Sequence, residues 1–363
     1  MRKVLIAIIL MLGVFLVILS FSEIKTIVIT LQHSDWRLWG LALIVELIWI
    51  LNMAASFGIL YRLMGMHDHL GHLFWMVSAA NLVNVVAPSA GIGGMAVFID
   101  EAKQRKQSTG RVTVVGILFV LYDYFAFLCI LALGWVVLIR RNNLNTGEII
   151  SSFILLGLAM ALSFLLYLGY RSPQRLGDTL AGMARFINRI VFPFIHKPYL
   201  SEDNSHQYAC EISEGIQQIK GKRRQMILPF LFALNSKAIL LIILMISFLT
   251  YQVPFTAGTL VAGLSIAYLF VIVSPTPAGL GFVEGGLTIA LNTMRVPLGS
   301  AAVITLTYRA VTFWFPLLVG ALAFRRLHLS RPPKTGKAAV SSDAADLPGG
   351  KENSRLKDEN QES

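Results

Sequence analysis

Long, predominantly apolar segments constrain this chain more than any other feature. Val4–Phe21, Val112–Ile139 and Ile227–Thr250 are each long enough to cross the roughly 30 Å hydrocarbon core of a bilayer as a helix. The composition agrees, because 55% of the residues are hydrophobic, 14% are charged and the mean hydropathy is +0.66. The sequence therefore predicts an all-α, polytopic membrane protein and excludes a soluble domain.

About six full spans are predicted within a membrane domain of residues 1–326. The first is kept as a span rather than a signal peptide, because no small-residue cleavage motif follows it. Residues 171–225 form a polar cytoplasmic insertion, in which a helix over 175–191 either lies on the membrane surface or packs on the bundle. Residues 327–363 are predicted to form a disordered cytoplasmic tail. The six spans are Val4–Phe21, Leu38–Tyr61, Val112–Ile139, Ile149–Tyr170, Met226–Tyr251 and Gly299–Phe324.

A shorter apolar segment, about Ala257–Met294, is broken by proline and glycine. Its stretch SPTPAGLGFVEGG, residues 274–286, contains four glycines together with Pro275 and Pro277, which end a helix. Irregular backbone is tolerated at membrane depth where protein buries it or where it lines a watery cavity. We therefore expect a re-entrant hairpin whose second helix begins near Phe282. The alternative is an extramembrane loop between two short spans.

A second broken segment, Leu70–Ile99, has the same character. It is interrupted at Pro88, Gly91, Gly93 and Gly94, and both of its flanks carry polar residues that we assign to the cytoplasm. The sequence therefore predicts a second re-entrant, broken-helix hairpin that enters and leaves on the same side.

The distribution of Lys and Arg predicts the orientation of the spans. In this topology 24 of the 31 basic residues lie on one side of the membrane, five lie on the other, and Lys237 and Arg309 lie within spans. Basic residues are enriched on the cytoplasmic side. We therefore expect a multi-pass protein of the cytoplasmic (inner) membrane with both termini in the cytoplasm.

The order span, span, broken hairpin, span occurs twice, over about 4–139 and about 149–326. Each unit crosses the membrane an odd number of times, so the second unit is inverted relative to the first. Inverted repeats with broken helices near the midplane are typical of secondary transporters. The spacing within the units is parallel: Asn52 precedes Pro88 by 36 residues, and Asn235 precedes Pro275 by 40.

Five charged side chains are predicted within membrane segments: Glu46, Asp123, Lys237, Glu284 and Arg309. Each costs about 2.5–3.5 kcal/mol near a helix centre on insertion scales, so these groups should face one another or a polar cavity. One interpretation is structural ion pairs, Asp123 with Arg309 or Glu46 with Lys237. The other is a pathway for a polar lipid headgroup, with the lipid tails remaining in the bilayer.

A headgroup site would combine these charges with the two broken segments. The guanidinium of Arg309 can bind two phosphate oxygens, and the helix N-termini beside Gly94 and Phe282 would offer free N–H groups. The candidate substrate-binding residues are Glu284, Arg309, Asp123, Pro88, Gly93, Gly94, Pro277, Gly279 and Gly281.

Other classes of function find little support in the sequence. No nucleophile–base arrangement stands out, so we expect no enzymatic activity. The loop Met66–His72 holds three histidines without a zinc-binding spacing, and Cys129 and Cys210 suggest neither a disulfide nor a metal site, so we expect no metal and no cofactor. The net charge of +11 is concentrated beside the spans, which favours membrane lipids with anionic headgroups over nucleic acid as partners.

Three stretches together resemble the lysylphosphatidylglycerol synthase transmembrane family, the flippase domain of the multiple peptide resistance factor and its stand-alone relatives. They are ANLVNVVAPSAGIGG, PTPAGLGFVEGG and TYRAVTFWFPLLVG, and the resemblance covers about Val4 to Arg326. It implies translocation of a phospholipid, an aminoacylated phospholipid or a prenyl-linked lipid between leaflets. By position, Glu284, Arg309 and Pro88 with its following glycines match polar or broken membrane positions of the family.

The chain departs from the full-length synthases of that family, which carry a soluble aminoacyl-transferase domain after the membrane part. Here a short polar tail follows, so lysyl transfer to lipid is not expected. The alternative function is that of a non-transporting membrane partner of a lipid-modifying or glycosyl-transferring enzyme. An enzyme acting on prenyl-phosphate lipids would need acid and base residues at the cytoplasmic face, where Asp100 and Glu101 form an adjacent pair near a hairpin.

Labelling with an impermeant thiol reagent tests this topology. Single cysteines at Ser108 and at Ser342 should both be protected when the reagent is applied outside intact cells, because both positions are expected in the cytoplasm. A single cysteine at Asn143 should be labelled. Labelling of position 108 from outside would contradict the hairpin predicted over Leu70–Ile99, and the inverted repeat with it.

Overall fold

The computed structural model describes residues 35–86, 93–140, 146–182, 185, 203–219, 221–222, 224–274 and 276–327. The predicted first span and the tail lie outside these residues. The described residues belong to one compact unit that ends at Leu327. Their secondary structure is helical, with a helical stretch over 173–182 in addition to eleven numbered helices. In chain order these are α1 (Trp36–Leu63), α2 (Leu70–Val86), α3 (Met95–Gln104), α4 (Thr109–Arg140), α5 (Thr146–Arg171), α6 (Asp203–Gln217), α7 (Ile227–Thr250), α8 (Ala257–Val273), α9 (Phe282–Thr293), α10 (Leu298–Arg309) and α11 (Phe315–Arg326).

Five helices of this part of the chain are long and apolar enough to cross a membrane. They are α1, α4, α5, α7 and the combination of α10 with α11, and they confirm the second to sixth predicted spans as helices. The described part of the chain is therefore all-helical, and the protein is a multi-pass membrane protein. Two further apolar helices, α2 and α8, are shorter than a full span.

The last span contains a π-helical turn, Ala310–Trp314, between α10 and α11. The turn begins directly after Arg309 and ends two residues before Pro316. A proline inside a helix removes one backbone donor and its ring crowds the carbonyl of the preceding turn, so the local widening accommodates Pro316. The π turn was not predicted, although Pro316 within the apolar run was its sequence signal.

The stretch SPTPAGLGFVEGG, residues 274–286, is called the signature stretch below. It interrupts the helical structure between α8 and α9, and this interruption is the signature break. Its backbone reverses through Ala278, Gly279 and Gly281, whose φ angles are 51°, 75° and 79°. Such angles are strained for residues with a Cβ, which explains two of the four glycines of the stretch, Gly279 and Gly281, but leaves Ala278 as a strained residue. The prediction that the second helix begins near Phe282 is confirmed.

The broken segment Leu70–Ile99 also divides into two helices, α2 and α3. Of the predicted breakers, Pro88 and Gly91 lie outside the described residues, whereas Gly93 and Gly94 form a turn directly before α3. Helix α3 is short, with ten residues.

The two broken segments pack on the spans of the opposite half of the chain. Helix α2 packs against α11, α8 packs against α4, and α1 runs along α7. At the contact of α1 with α7 the Asn235 side chain donates to Asn52 Oδ1 over 2.8 Å, and Asn52 donates to the Phe232 carbonyl over 2.9 Å. The two asparagines that were matched by spacing are thus hydrogen-bonded to each other.

The polar insertion is partly folded onto the ends of the spans. Glu211 of α6 accepts hydrogen bonds from the Gly110 N–H and the Thr109 hydroxyl at the start of α4, and Lys222 donates to the Leu63 carbonyl at the end of α1. These contacts satisfy backbone groups that helix ends leave unpaired. Leu176 in the stretch 173–182 is buried, so this described part of the predicted helix packs on the bundle. Helix α6 was not predicted.

Close packing of α2 on α11 predicts a strong effect of one methyl group. A Cβ added at Gly320 would lie 2.6 Å from the Ser78 carbonyl oxygen and 2.9 Å from Leu82 Cβ. Gly320→Ala should therefore lower the midpoint of thermal unfolding in detergent, because overpacking costs about 1–3 kcal/mol.

Gly157→Ala in α5 is the matched control, because no heavy atom lies within 4 Å of its added Cβ. This change should leave the midpoint unchanged or raise it, since alanine favours a helix over glycine by about 1 kcal/mol. An equal response of the two variants would contradict the close packing of α2 on α11.

Candidate functional site: a cavity between two buried ion pairs

Arg309 forms a buried ion pair with Glu284 at the signature break. Its Nε donates to Glu284 Oε1, and its Nη2 donates to the Ala278 carbonyl over 3.2 Å. The guanidinium carbon lies 4.4 Å from the centre of the Phe313 ring. The side chains of Arg309 and Glu284 are 7% and 10% exposed. A charge-assisted contact of this kind fixes the end of α10 against the start of α9.

Lys237 forms the second buried ion pair, with Asp123. The Nζ to Oδ1 distance is 2.6 Å, and the Tyr268 hydroxyl donates to the other carboxylate oxygen of Asp123. Lys237 also donates to the Tyr268 hydroxyl over 3.1 Å and lies 4.3 Å from the centre of its ring. These contacts join α7, α4 and α8. Lys237 is 2% exposed and Asp123 is 20% exposed.

The observed pairing differs from the ion pairs considered from sequence. Asp123 pairs with Lys237 and not with Arg309, and Glu46 does not pair with Lys237. Sequence could identify the charged residues because they interrupt apolar runs. Their partners depend on which helices become neighbours, and this is set by the tertiary packing of α4, α7 and α8.

Both ion pairs border one cavity of about 440 Å³ within the bundle. Its polar wall includes Asp123, Lys237, Arg309, Tyr268 and Tyr308, and the rest of its wall is largely apolar. The signature break contributes Ser274, Thr276 and Ala278, and the end of α2 contributes Asn81, Asn84 and Val85. The two broken segments therefore meet at the same cavity.

A smaller cavity of about 40 Å³ adjoins the large one. The two cavities share lining residues, including Asn81, Asn84 and Phe119. The small cavity also reaches Gly94 and Met95 at the start of α3. The turn between α2 and α3 thus borders the small cavity, and the signature break borders the large one.

Backbone N–H groups at the N-termini of α3 and α9 already donate to side-chain acceptors of the protein. The Gly94 N–H donates to Asn84 Oδ1 over 2.6 Å, and the Gly281 N–H donates to Glu284 Oε2 over 2.6 Å. A side-chain acceptor at this position is an ordinary way to satisfy a helix N-terminus. The expectation that these termini present free N–H groups to a phosphate is therefore wrong for these two amides.

The predicted site residues divide into three groups by their location. Asp123 and Arg309 line the large cavity, and Gly94 lines the small one. Glu284 forms an ion pair with Arg309 but is not among the lining residues of the large cavity. Gly93, Pro277, Gly279 and Gly281 contribute backbone to the two breaks. Pro88 lies outside the described residues.

Sequence reasoning missed several residues of the cavity wall. Lys237 was identified as an intramembrane charge but not included in the site, and Tyr268 had no signal beyond being a polar aromatic residue in an apolar helix. Asn81 and Asn84 were visible in the stretch ANLVN and, being three residues apart, lie on one face of α2.

A separate charged cluster ties the start of α2 to the end of α3. Arg105 contacts Glu101 over 2.7 Å and Asp68 over 3.3 Å, and the His72 ring lies 3.2 Å from Glu101. Among the described residues no group of three or more histidine, cysteine or acidic side chains is arranged to hold a metal ion.

Comparison with known protein families gives a match over most of the chain. The family described as Lysylphosphatidylglycerol synthase TM region matches residues 4–320. The match is to the membrane region of that family and not to a catalytic synthase domain. No curated protein and no solved structure matches the chain.

The observed pairing predicts which double substitution restores stability. Asp123→Ala should lower the thermal unfolding midpoint, because removing one partner leaves Lys237 buried and uncompensated at a cost of about 3–5 kcal/mol. Adding Lys237→Met should recover much of the loss, because it removes the stranded charge.

The double variant Asp123→Ala with Arg309→Ala is the matched control. It should be less stable than Asp123→Ala alone, because it strands Glu284 as well as Lys237. Recovery in this control, rather than with Lys237→Met, would contradict the pairing.

Proposed function

The chain belongs to the lysylphosphatidylglycerol synthase transmembrane family. We propose that it moves a phospholipid between the two leaflets of the membrane. The observation that carries the proposal is the cavity of about 440 Å³ bordered by both buried ion pairs. The headgroup passes through this cavity while the acyl chains remain in the bilayer. The family is linked to the flipping of aminoacylated phospholipids.

The size and lining of the cavity suit a headgroup. Pockets that bind small molecules usually have volumes of about 300–1,000 Å³ and combine apolar walls with a few placed polar groups. Intramembrane charges that face a cavity commonly mark a substrate pathway. The cost of burying Asp123, Lys237, Glu284 and Arg309 is consistent with such a use.

The charge balance favours a headgroup of low net charge. Each cation beside the cavity is already neutralised by a carboxylate, so the four groups together carry no net charge. A phosphodiester or a zwitterion can be matched here, whereas the several charges of a diphosphate lipid would meet no excess of cations. This argument favours phospholipids and aminoacylated phospholipids over prenyl diphosphates.

The two ends of the cavity offer different recognition. Arg309 has three N–H groups that donate to no other described residue, and a guanidinium binds phosphate oxygens in a two-pronged manner. Asp123 is the most exposed of the four paired charges, and its carboxylate can accept from an amine or a hydroxyl group. The phosphate is placed at Arg309 and the polar end of the headgroup at Asp123.

We propose further that the helices form an inverted repeat with two re-entrant hairpins. Two observations support this arrangement: the Asn52–Asn235 contact between spans matched by spacing, and the packing of each broken segment on the last span of the other half. Movement of one half against the other around the cavity would expose the headgroup to alternate sides. The cytoplasmic membrane, with both termini inside, is the location that the charge distribution favours.

Lipid movement by purified protein in liposomes tests the proposal. Arg309→Lys and Asp123→Asn should each slow the movement of a labelled phospholipid about tenfold or more. Lysine cannot reproduce the two-pronged contact of arginine with a phosphate, and asparagine lacks the negative charge of Asp123. Unlabelled phospholipid should compete, and a prenyl diphosphate should compete poorly.

Arg62→Lys, at an exposed arginine outside the cavity, is the matched control and should move lipid at the wild-type rate. Rates are normalised to folded protein. Wild-type rates in well-folded Arg309→Lys and Asp123→Asn would exclude the headgroup site. No movement by the wild type itself would favour the non-transporting partner of a lipid-modifying enzyme.

A further inference from the structure

Glu46 is a buried carboxyl group that neither ion pair uses. Its side chain in α1 is 0% exposed, and neither carboxyl oxygen has a hydrogen-bond partner among the described residues. Ala42, one turn before it, belongs to an apolar cluster of the bundle, and Val45 and Trp49 pack against the same cluster. A carboxylate ion is strongly disfavoured in such a place, whereas a neutral carboxylic acid is tolerated. We read Glu46 as holding its proton in this conformation.

The charged groups on the helices that pack against α1 do not compensate Glu46. Tyr308 of α10, which is near Glu46, carries a phenol that is neutral in the ordinary pH range. The other charged groups on these neighbours are engaged elsewhere or lie at helix ends, and Tyr122 and Tyr124 of α4 carry phenols, which are neutral in the ordinary pH range. The engaged ones are Lys237 with Asp123, Arg309 with Glu284, His72 with Asp68 and Glu101, and Arg326 over the Trp75 ring.

Glu46 lies close to the wall of the large cavity but is not among its lining residues. Trp49, three residues further along the same face of α1, lines that cavity, and so does Tyr308. Movement of these two rings would connect the carboxyl group with the cavity.

Hydrogen bonds do not lock this part of the wall. The Trp49 indole N–H has no hydrogen-bond partner among the described residues, and neither does the Thr305 hydroxyl, which lies one turn before Tyr308. Buried polar groups are usually hydrogen-bonded, so the exceptions at Glu46, Trp49 and Thr305 need a reason. A second conformation, in which these groups face water or the headgroup, supplies one.

We propose that Glu46 is the proton-carrying residue of the transport cycle. This inference rests on the proposed lipid movement. The acid is protonated and buried in the conformation described here, and it releases its proton when the wall opens and water reaches it. Return to the buried state takes up one proton, which can come from the opposite side of the membrane. A proton gradient would then drive net movement of the lipid.

The test uses full-length protein in liposomes with an imposed pH gradient. Net movement of a labelled phospholipid by the wild type should rise several-fold with the gradient. Glu46→Gln keeps the shape of a neutral acid and cannot release a proton, so its rate should be the same with and without the gradient. Glu214→Gln, at an exposed glutamate of α6, is the matched control and should respond as the wild type does.

Infrared spectroscopy of the detergent-solubilised protein provides a readout that does not depend on transport. The spectrum of the wild type minus that of Glu46→Gln should contain the C=O band of a protonated carboxylic acid at neutral pH. Absence of this band would overturn the assignment of a protonated Glu46.

The outcomes separate this inference from the proposed function. Wild-type lipid movement that ignores the pH gradient would overturn proton coupling and leave lipid movement standing, whether or not Glu46→Gln folds. A gradient response in Glu46→Gln equal to that of the wild type would overturn the role of Glu46. Absence of lipid movement under every gradient would overturn the proposed function and the coupling together.

Discussion

The cost of charge inside the hydrocarbon region governs how this bundle is assembled. Asp123, Lys237, Glu284 and Arg309 each cost about 2.5–3.5 kcal/mol near a helix centre on insertion scales, so the helices that carry them must bring opposite charges together. The structure does this twice, once between α4 and α7 and once between α9 and α10. Each cation also lies over an aromatic ring. The ion pairs thereby stabilise the contacts between these helices around the cavity.

Irregular backbone allows these ion pairs to form while leaving space for the cavity between the helices. The reversal at Ala278–Gly281 places Glu284 in the first turn of α9, where it accepts from the Gly281 N–H and holds Arg309. On the facing span the π turn begins directly after Arg309, and Pro316 accounts for it. A continuous α8 and α9 would fill the space that Ser274 and Thr276 now border. The cavity therefore depends on the breaks as much as on the charges.

Sequence predicted the local features well, because local chemistry decides them. The five described spans follow from apolar length, and the start of α9 near Phe282 follows from the prolines and glycines before it. The partners of Asp123 and Arg309 could not be predicted, since they depend on contacts between helices far apart in the chain. Helix α6 was missed because its polar sequence carries no apolar run, and the expectation of free N–H groups overlooked Asn84 and Glu284 as acceptors.

Electron cryo-microscopy of the protein in lipid nanodiscs that contain an anionic phospholipid tests the central claim most directly. The account predicts headgroup density inside the cavity, with a phosphate within hydrogen-bond distance of the Arg309 guanidinium and the polar end of the headgroup directed toward Asp123. This density should be lost in Arg309→Ala while the Lys237–Asp123 pair is retained. Lipid density confined to the outer surface of the bundle, with wild type and Arg309→Ala alike, would contradict a headgroup pathway through this cavity.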